Sequence, residues 1–520
     1  MGLELIGGQE EGTRTRGRRG RSRSAEGFRR ETSYHRLTNP FKPQAAFSDD
    51  RVAAIHDTAL RVLEELGMKV LLPEARNHYA RAGALVDEET QMVRIGRDIV
   101  EHALASAPKR IHAQAPSAGR DLIYEEGALT FISGSGAPNI TDHMKGRRPA
   151  SLADFEAIAR INQHFDVMHT MTASVEAQDV PVHLRHYAMS KVQVETSDKL
   201  PFVFARGTPQ VLEGFEMLQL AYGLSEAEFR ARPHTYTVIN TNSPRQLDIP
   251  MAQGIIDFAE WGQISVITPF CLAGAMAPIT IAGALTLQHA EALAGITLAQ
   301  IVRAGAPVLY GSFASSVDMK SGAPAFGTPE HFKSALGAGQ LARHIGLPWR
   351  GGGGTASNAV DAQAANETQM AMWGAIMGGC NMLIHAAGWI EGGLAVSLEK
   401  MIVDIEVLQM VAELCKPVPD DDAAIGLDAI AEVQPGGHFF SAAHTMSRYR
   451  TAFYEPLVAD WSNFGNWTAA GSQTASDRAT AIWREIVEGF TPPAEVAARK
   501  GVLDDYIAKR TEAGGAAPVS

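Results

Sequence analysis

The chain has 520 residues, 45% hydrophobic and 20% charged, which excludes a mainly disordered or collagen-like protein. Its three cysteines, Cys271, Cys380 and Cys415, cannot build a disulfide framework and suit a reducing compartment. Net charge is −12; residues 1–30 hold eight Arg against Glu4, Glu10, Glu11 and Glu26, a balance of +4, so the remainder carries −16 and argues against nucleic acid as the main partner.

In chain order, residues 1–45 read as a disordered basic tail. The run from Arg14 to Arg23 has the charge to touch RNA or lipid headgroups, but a solvated tail is the simpler reading. No apolar core follows it, so it is not a secretory signal. Residues 46–128 form an extension with a helix over Ser48–Gly67, where Val52, Ile55, Ala59, Val62 and Leu63 recur at helical spacing. A second helix lies near Arg97–Ala107, and short β runs follow at Asp121–Tyr124 and Leu129–Ser133.

From residue 129 a β run, a polar or Gly-rich loop and a helix alternate. Eight β runs are expected: Leu129–Ser133, Val167–Ser174, Pro201–Phe204, Thr235–Asn240, Ile264–Phe270, Pro307–Phe313, Pro348–Gly351 and Asn381–Ala386. Helix starts are signalled by Thr208-Pro209, by Thr328-Pro329 and by the capping-box-like Ser151-Leu-Ala-Asp154. Such alternation predicts an α/β fold, a closed (β/α)8 TIM barrel over residues 129–415. The uncharged stretch Ile264–Leu287 is long enough to span a bilayer, but Pro269 and Pro278 split it into a buried strand, a loop and a buried helix. No membrane association is expected, and the location expected is cytoplasmic. Residues 416–520 are expected to form an appendage packed on the barrel, closing with helices over Ala475–Glu488 and Ala494–Arg510.

Active sites of this fold lie at the C-terminal ends of the strands. There the sequence offers Phe131, Arg206, Asn240, Tyr310, Phe313, Arg350, Gly351–Gly354, His385, Trp389 and Glu391. The set is mostly small, uncharged and aromatic, with few titratable groups and without the carboxylate pair or metal cage that a hydrolase usually needs. Four consecutive glycines suggest either a phosphate cradle or close backbone approach, and the latter is the simpler reading. Lys320 has the chemistry for a Schiff base but sits several residues beyond its strand.

Three segments carry a resemblance. Leu383-Ile-His-Ala-Ala-Gly-Trp-Ile-Glu-Gly-Gly-Leu394 with Ser397-Leu-Glu-Lys400, Ser312–Asp318 with Ser321-Gly-Ala-Pro-Ala-Phe-Gly-Thr-Pro-Glu330, and Ala356–Glu367 all resemble the trimethylamine methyltransferase family. The resemblance runs from roughly residue 40 to 495. It implies a barrel that moves a methyl group from an amine to the cobalt of a corrinoid (cobalamin) held by a separate protein, and a tendency to self-associate. The trimethylamine branch of the family carries a pyrrolysine, and this sequence has only ordinary residues. The resemblance therefore points to the branch of the glycine betaine methyltransferases and their quaternary-amine relatives.

On that reading, Trp389, Phe313, Tyr310 and Phe131 are candidates to hold the trimethylammonium by cation–π attraction, about 0.5–2 kcal/mol each. His385, Arg206 and Arg350 are candidates for a substrate carboxylate, with Asn240 as a further polar contact. His385 and Glu391 are the candidate catalytic pair, Glu391 facing the ammonium, or simply holding His385 or the loop. Gly351, Gly352, Gly353 and Gly354 are candidates to admit the corrin face. The competing readings are a Schiff-base lyase using Lys320, and a betaine-binding barrel without turnover.

Overall fold

The computed structural model describes residues 33–519, so the Arg-rich run lies outside the described residues. The fold is mixed α/β. Its main sheet contains six parallel strands: β1 (Ala128–Phe131), β2 (Tyr236–Ile239), β3 (Ile264–Ile267), β4 (Val308–Gly311), β5 (Trp349–Gly352) and β6 (Met382–Ile384). Their order is β1-β6-β5-β4-β3-β2, and Leu37–Thr38 pairs antiparallel on β1. The register sets Leu383 beside Phe131, Gly351 beside Leu383, Tyr310 beside Trp349 and Val266 beside Leu309. β3 to β6 are buried on both faces, as near-continuous apolar runs require when helices cover a parallel sheet.

Two of the eight expected strands do not form ladders. Residues 167–174 and 201–204 make only isolated parallel bridges, Thr170 to Leu200 and Phe202 to Tyr236. The physical reason is competition by side chains for the backbone. The Gln193 side chain takes both the N–H and the carbonyl of Phe202 (2.9 and 3.1 Å), and His169 Nδ1 accepts the N–H of Phe131 (2.9 Å). The Tyr236 hydroxyl donates to the Met171 carbonyl (2.7 Å). These segments still join the strands at either side. His169 N–H donates to the Phe131 carbonyl (3.0 Å), Met171 N–H to Leu200 (2.9 Å) and Val203 N–H to Tyr236 (3.2 Å).

The helix starts follow their sequence signals. Ser151 and Asp154 close a capping box, and the Thr328 hydroxyl accepts from His331 N–H, ahead of Pro329. At the third signal the cap shifts by one: Gly207 is the N-cap, and the Thr208 hydroxyl donates instead to Asp257 (3.1 Å). The uncharged 264–287 stretch becomes β3, a strand over Phe270–Ala273 and the first turns of helix Ile281–Val302. Among the described residues no helix is long and apolar enough to cross a membrane.

Helix Ala475–Glu488 matches its expected bounds and packs on helix Leu398–Leu414, where Glu399 accepts from Trp483 Nε1 (2.9 Å) and Thr480 (3.0 Å). The expected helix over 494–510 is instead two, Ala494–Ala497 and Asp504–Glu512. Gly501, at φ +76°, lies between them.

Candidate active site

β6 ends at Ile384, and the next residue, His385, takes a left-handed backbone (φ +61°). That turn lays its imidazole flat on Trp389, with ring centroids 4.3 Å apart and planes 19° apart. Phe313, just past β4, completes a triangle, 5.3 Å from His385 and 5.7 Å from Trp389. Phe326 stacks on Phe313 (5.0 Å, 9°) and lies 5.4 Å from Trp389. It arrives on a hairpin in which Pro324–Ala325 pairs antiparallel with Phe313–Val317. His331 closes the far side of Phe326 at 5.5 Å.

The glycines make this crowding possible. A Cβ on Gly354, whose φ is +103°, would stand 2.3 Å from the Trp389 ring, and one on Gly393 2.2 Å from it. A Cβ on Gly352 would stand 2.9 Å from Phe313, and one on Gly353 2.8 Å from the His385 carbonyl. Gly351 packs on Ala375 and Cys380. All four residues of the 351–354 run are buried. The run expected to admit a corrin face therefore clears room for the protein's own rings instead of presenting a free surface.

Arg350 is the charged member of the group. It is 1% exposed, and its guanidinium lies over the Phe313 ring at 5.0 Å. Its Nη1 donates to the Ser312 carbonyl (3.3 Å), while its Nε has no hydrogen-bond partner. Among the described residues no carboxylate forms an ion pair with it. Burial lowers its pKa to about 10, so it remains a cation at neutral pH. A buried, uncompensated charge is expensive, and polar groups left in this state call for an explanation, a bound ligand or a water among them. Trp389 Nε1 is likewise buried and, among the described residues, unpartnered.

Burial and the nearby Arg350 charge hold both histidines neutral. The His331 pKa falls to about 4, and that of His385 lies well below its ordinary value. His385 Nδ1 accepts the Ser135 N–H (3.3 Å), which leaves Nε2 as the protonated, donating nitrogen.

The other candidates lie elsewhere. Glu391 also takes a left-handed backbone (φ +56°), but its carboxylate is held by Arg147 Nε at 2.9 and 3.0 Å, not by His385. Arg206 is a rim ion pair: its Nη1 lies 3.3 Å from Glu176, which also takes Arg185 (3.0 Å). Tyr310 faces helix Ile281–Val302, where its hydroxyl donates to Gln288 (3.2 Å) and meets His289 Nδ1 (3.0 Å). Phe131 packs edge-on against His169 at 5.8 Å. Asn240 is exposed, and so is Lys320, in the turn after Val317. The structure thus gathers Phe313, Arg350, His385 and Trp389 and separates Glu391, Arg206, Tyr310, Phe131 and Asn240 from them. Sequence reasoning missed Phe326 and His331; the turn residues 318–322, which fold one strand back on the other, were the available signal.

A profile of the trimethylamine methyltransferase family (MTTB) matches residues 14–515. The chain belongs to this family. It is similar to the glycine betaine methyltransferase of Desulfitobacterium hafniense (strain Y51), 33% identical over 465 residues covering 89% of this chain and 96% of the relative. A trimethylamine methyltransferase MttB of D. hafniense (strain DSM 10664 / DCB-2) is 31% identical, covering 87% and 92%. Identity falls to 27%, over 85% and 90%, for a Methanosarcina mazei trimethylamine methyltransferase. The crystal structure of the Methanosarcina barkeri monomethylamine methyltransferase MtmB aligns over 92% of this chain and 96% of its own, with a TM-score of 0.44 and 9% identity. The protein is a methyltransferase.

Proposed function

We propose that this methyltransferase takes a methyl group from a zwitterionic quaternary amine of the glycine betaine type and delivers it to a corrinoid carried by a partner protein. The observation that carries the reading is the pairing of an aromatic group with a buried cation: Phe313, Phe326 and Trp389 stand together, and Arg350 lies 5.0 Å over Phe313 without a carboxylate of its own. Ring faces attract a trimethylammonium. A guanidinium attracts a carboxylate and repels an ammonium, so a ligand bearing both charges close together suits the pair.

A quaternary ammonium loses its methyl group to leave a neutral tertiary amine, so the reaction needs positioning more than acid or base. The corrinoid supplies a Co(I) nucleophile when bound. The chain's own residues would orient the ammonium against the ring faces, hold the carboxylate with Arg350, and offer the neutral His385 Nε2–H as a further donor. Glu391, tied to Arg147, shapes the loop. A partner face has a fitting rim to cover: Met144, Ile279, Met319 and Leu394, on the loops beyond the core strands, are large, apolar and exposed.

This reading takes the sheet as a closed (β/α)8 barrel over residues 129–415, the circuit completed by the bridges at Thr170 and Phe202. The 46–128 extension and the 416–520 appendage are its additions, and a reduced-cobalt partner points to a cytoplasmic location. Lys320 is exposed in the turn after Val317, so no observation favours a Schiff-base lyase.

The test is a panel of quaternary and tertiary amines with free cob(I)alamin, followed spectroscopically for methylcobalamin. Betaines should turn over and trimethylamine should not. Robust turnover of trimethylamine with none of any betaine overturns the assignment.

A further inference from the structure

The chain reaches Trp389 through Ala387 and Gly388, and most of the backbone groups on this approach are held by other backbone groups. The Ala387 carbonyl accepts Gly134 N–H and the Gly388 carbonyl accepts Ser397 N–H, both at 2.8 Å. Trp389 itself pairs antiparallel with Val396. The Gly388 N–H is different, because it donates to a side chain, Asp404 Oδ2 (2.9 Å). Gly388, at φ +83°, packs so closely on helix Leu398–Leu414 that a Cβ there would stand 3.2 Å from both Met401 Cβ and Val396 Cγ1.

Asp404 shares its other oxygen with Lys400, one turn earlier on the same helix, and Lys400 Nζ also donates to the Thr368 hydroxyl (2.8 Å). The two charged side chains are 1% and 4% exposed. Stability does not account for such a pair. Lys400 is the third residue of its helix, where the positive end of the dipole opposes a cation. A Lys four residues before an acid is the less favourable order. Taking two charges out of water costs about as much as their attraction returns, and apolar replacements are often neutral or stabilising. What the pair does provide is direction: the ammonium fixes one carboxylate oxygen and leaves the other for Gly388.

The tether at Thr368 leads to the rest of the ring cluster. Its neighbour on helix Ala362–Met377, Glu367, accepts the N–H groups of Ala356 and Ser357 (2.9 and 3.2 Å), just past the Gly354 that abuts the Trp389 ring. A Cβ on Gly327 would stand 2.3 Å from Glu367 Cα, so the hairpin carrying Phe326 rests on the same turn. Two consecutive residues, 367 and 368, therefore tie together the supports of Trp389 and Phe326.

We propose that the buried Lys400–Asp404 pair, anchored at Thr368, is a positioning device for methyl transfer: it fixes Gly388 and thereby the indole of Trp389 against which the ammonium sits. The inference rests on the role of Trp389 in the proposed function. Both side chains are too buried to exchange a proton with a ligand, so they act through Gly388 and not on the substrate.

Two paired substitutions separate positioning from stability. Lys400→Met with Asp404→Asn removes both charges and keeps an oxygen for the Gly388 N–H, whereas Lys400→Met with Asp404→Ala removes the acceptor as well. The asparagine pair should hold the single-turnover rate per folded molecule within about threefold of wild type, and the alanine pair should lower it at least about tenfold at saturating amine, as misplacement of an orienting group does. Hydrogen exchange of the peptide spanning Gly388 and Trp389 should stay slow in the first and quicken at least about tenfold in the second, where that N–H has lost its acceptor.

The rate is read with whichever amine of the panel the wild-type protein turns over. Failure of the betaine reading then shows in the wild type and leaves this comparison standing, and the exchange measurement needs no substrate. A loss that acts through the indole also disappears once the indole is gone: on a Trp389→Ala background the alanine pair should add less than about twofold. An alanine pair that keeps the wild-type rate or slow exchange overturns the proposal. So does an asparagine pair that loses as much as the alanine pair, or a loss that multiplies with that of Trp389→Ala. If the alanine pair does not fold, Lys400→Met with Asp404→Leu, which fills the vacated space with apolar atoms, replaces it under the same expectations.

Discussion

The side of the molecule built on β3 to β6 and the side built on residues 167–206 treat their polar groups in opposite ways. On the second side nearly every group named above is spoken for. Gln193 satisfies Phe202, His169 satisfies Phe131, and Glu176 is shared by Arg185 and Arg206. On the first side the strands satisfy one another, and the side chains beyond them are left wanting: Arg350 Nε and Trp389 Nε1 have no partner. Side chains spent on the backbone hold a fold together. Side chains spared by regular ladders are free to bind something else; Arg185 Nε on the other side also lacks a partner, but its guanidinium is already held by Glu176 (3.0 Å), whereas Arg350 has no carboxylate among the described residues.

The largest expected effect comes from removing the unpaired cation. Arg350→Met should lower betaine methyl transfer by about 30-fold or more, since truncating one partner of a buried charge pair costs about 2–5 kcal/mol. Melting should stay level or rise, because the substitution removes a buried charge that no carboxylate compensates. A single-turnover rate and a melting curve on the same variant check both halves; an unchanged rate would place the carboxylate elsewhere.

His385→Ala should cut the rate by at least about tenfold while the protein stays folded, the cost of a hydrogen bond to a charged group being about 1.5–3 kcal/mol. If activity instead falls only in step with the folded fraction, His385 is a packing residue.

The satisfied side should respond in stability alone. Gln193→Ala strips Phe202 of both partners and should cost about 1–3 kcal/mol of stability, leaving the rate per folded molecule unchanged. Denaturant titration beside the activity assay reads this directly. Low pH should strain both sides at once. His56, His169 and His331 each have a pKa lowered to about 4 by burial, against an ordinary value near 6.5. The unfolded chain takes up these protons first, so stability is complete above about pH 6.5 and is lost as pH falls toward about 4. A melting temperature that is flat across that window contradicts the assignment.

The smallest effect is expected at the other arginine. Arg206→Ala removes a pair whose Arg side chain is 39% exposed, worth at most about 1 kcal/mol, and should leave the rate within about threefold.

Arg206 and Arg350 show where the sequence was legible and where it was not. Each follows or ends an apolar β run, and nothing local separates them. Only the fold reveals that Glu176 reaches one and that, among the described residues, no carboxylate reaches the other. The caps at Ser151 and Thr328 could be read in advance because their physics is complete within four residues. The apolar cores of β3 to β6 could be read because burial on both faces leaves a continuous signature. The runs at 167–174 and 201–204 carry that signature too, yet the groups that replace their ladders come from other elements: Gln193 from a helix and Tyr236 from the next strand. Tyr310 was misplaced by facing: one strand position separates an inward side chain from one that meets a helix. The glycines at 351–354 were legible as close approach, but the rings they make room for, on residues 313 and 389, are distant in sequence.

The unpaired guanidinium also bears on which amines are turned away. A quaternary amine without an anionic group, such as choline, would bring a second positive charge beside Arg350 and nothing to neutralise the first. Rejection of that ligand then needs no steric wall, because the Arg350 charge opposes it. On the proposed reading, selectivity tracks net charge more than size: a longer betaine whose carboxylate still reaches the guanidinium would be admitted, while a smaller cation that fits against the rings would be repelled.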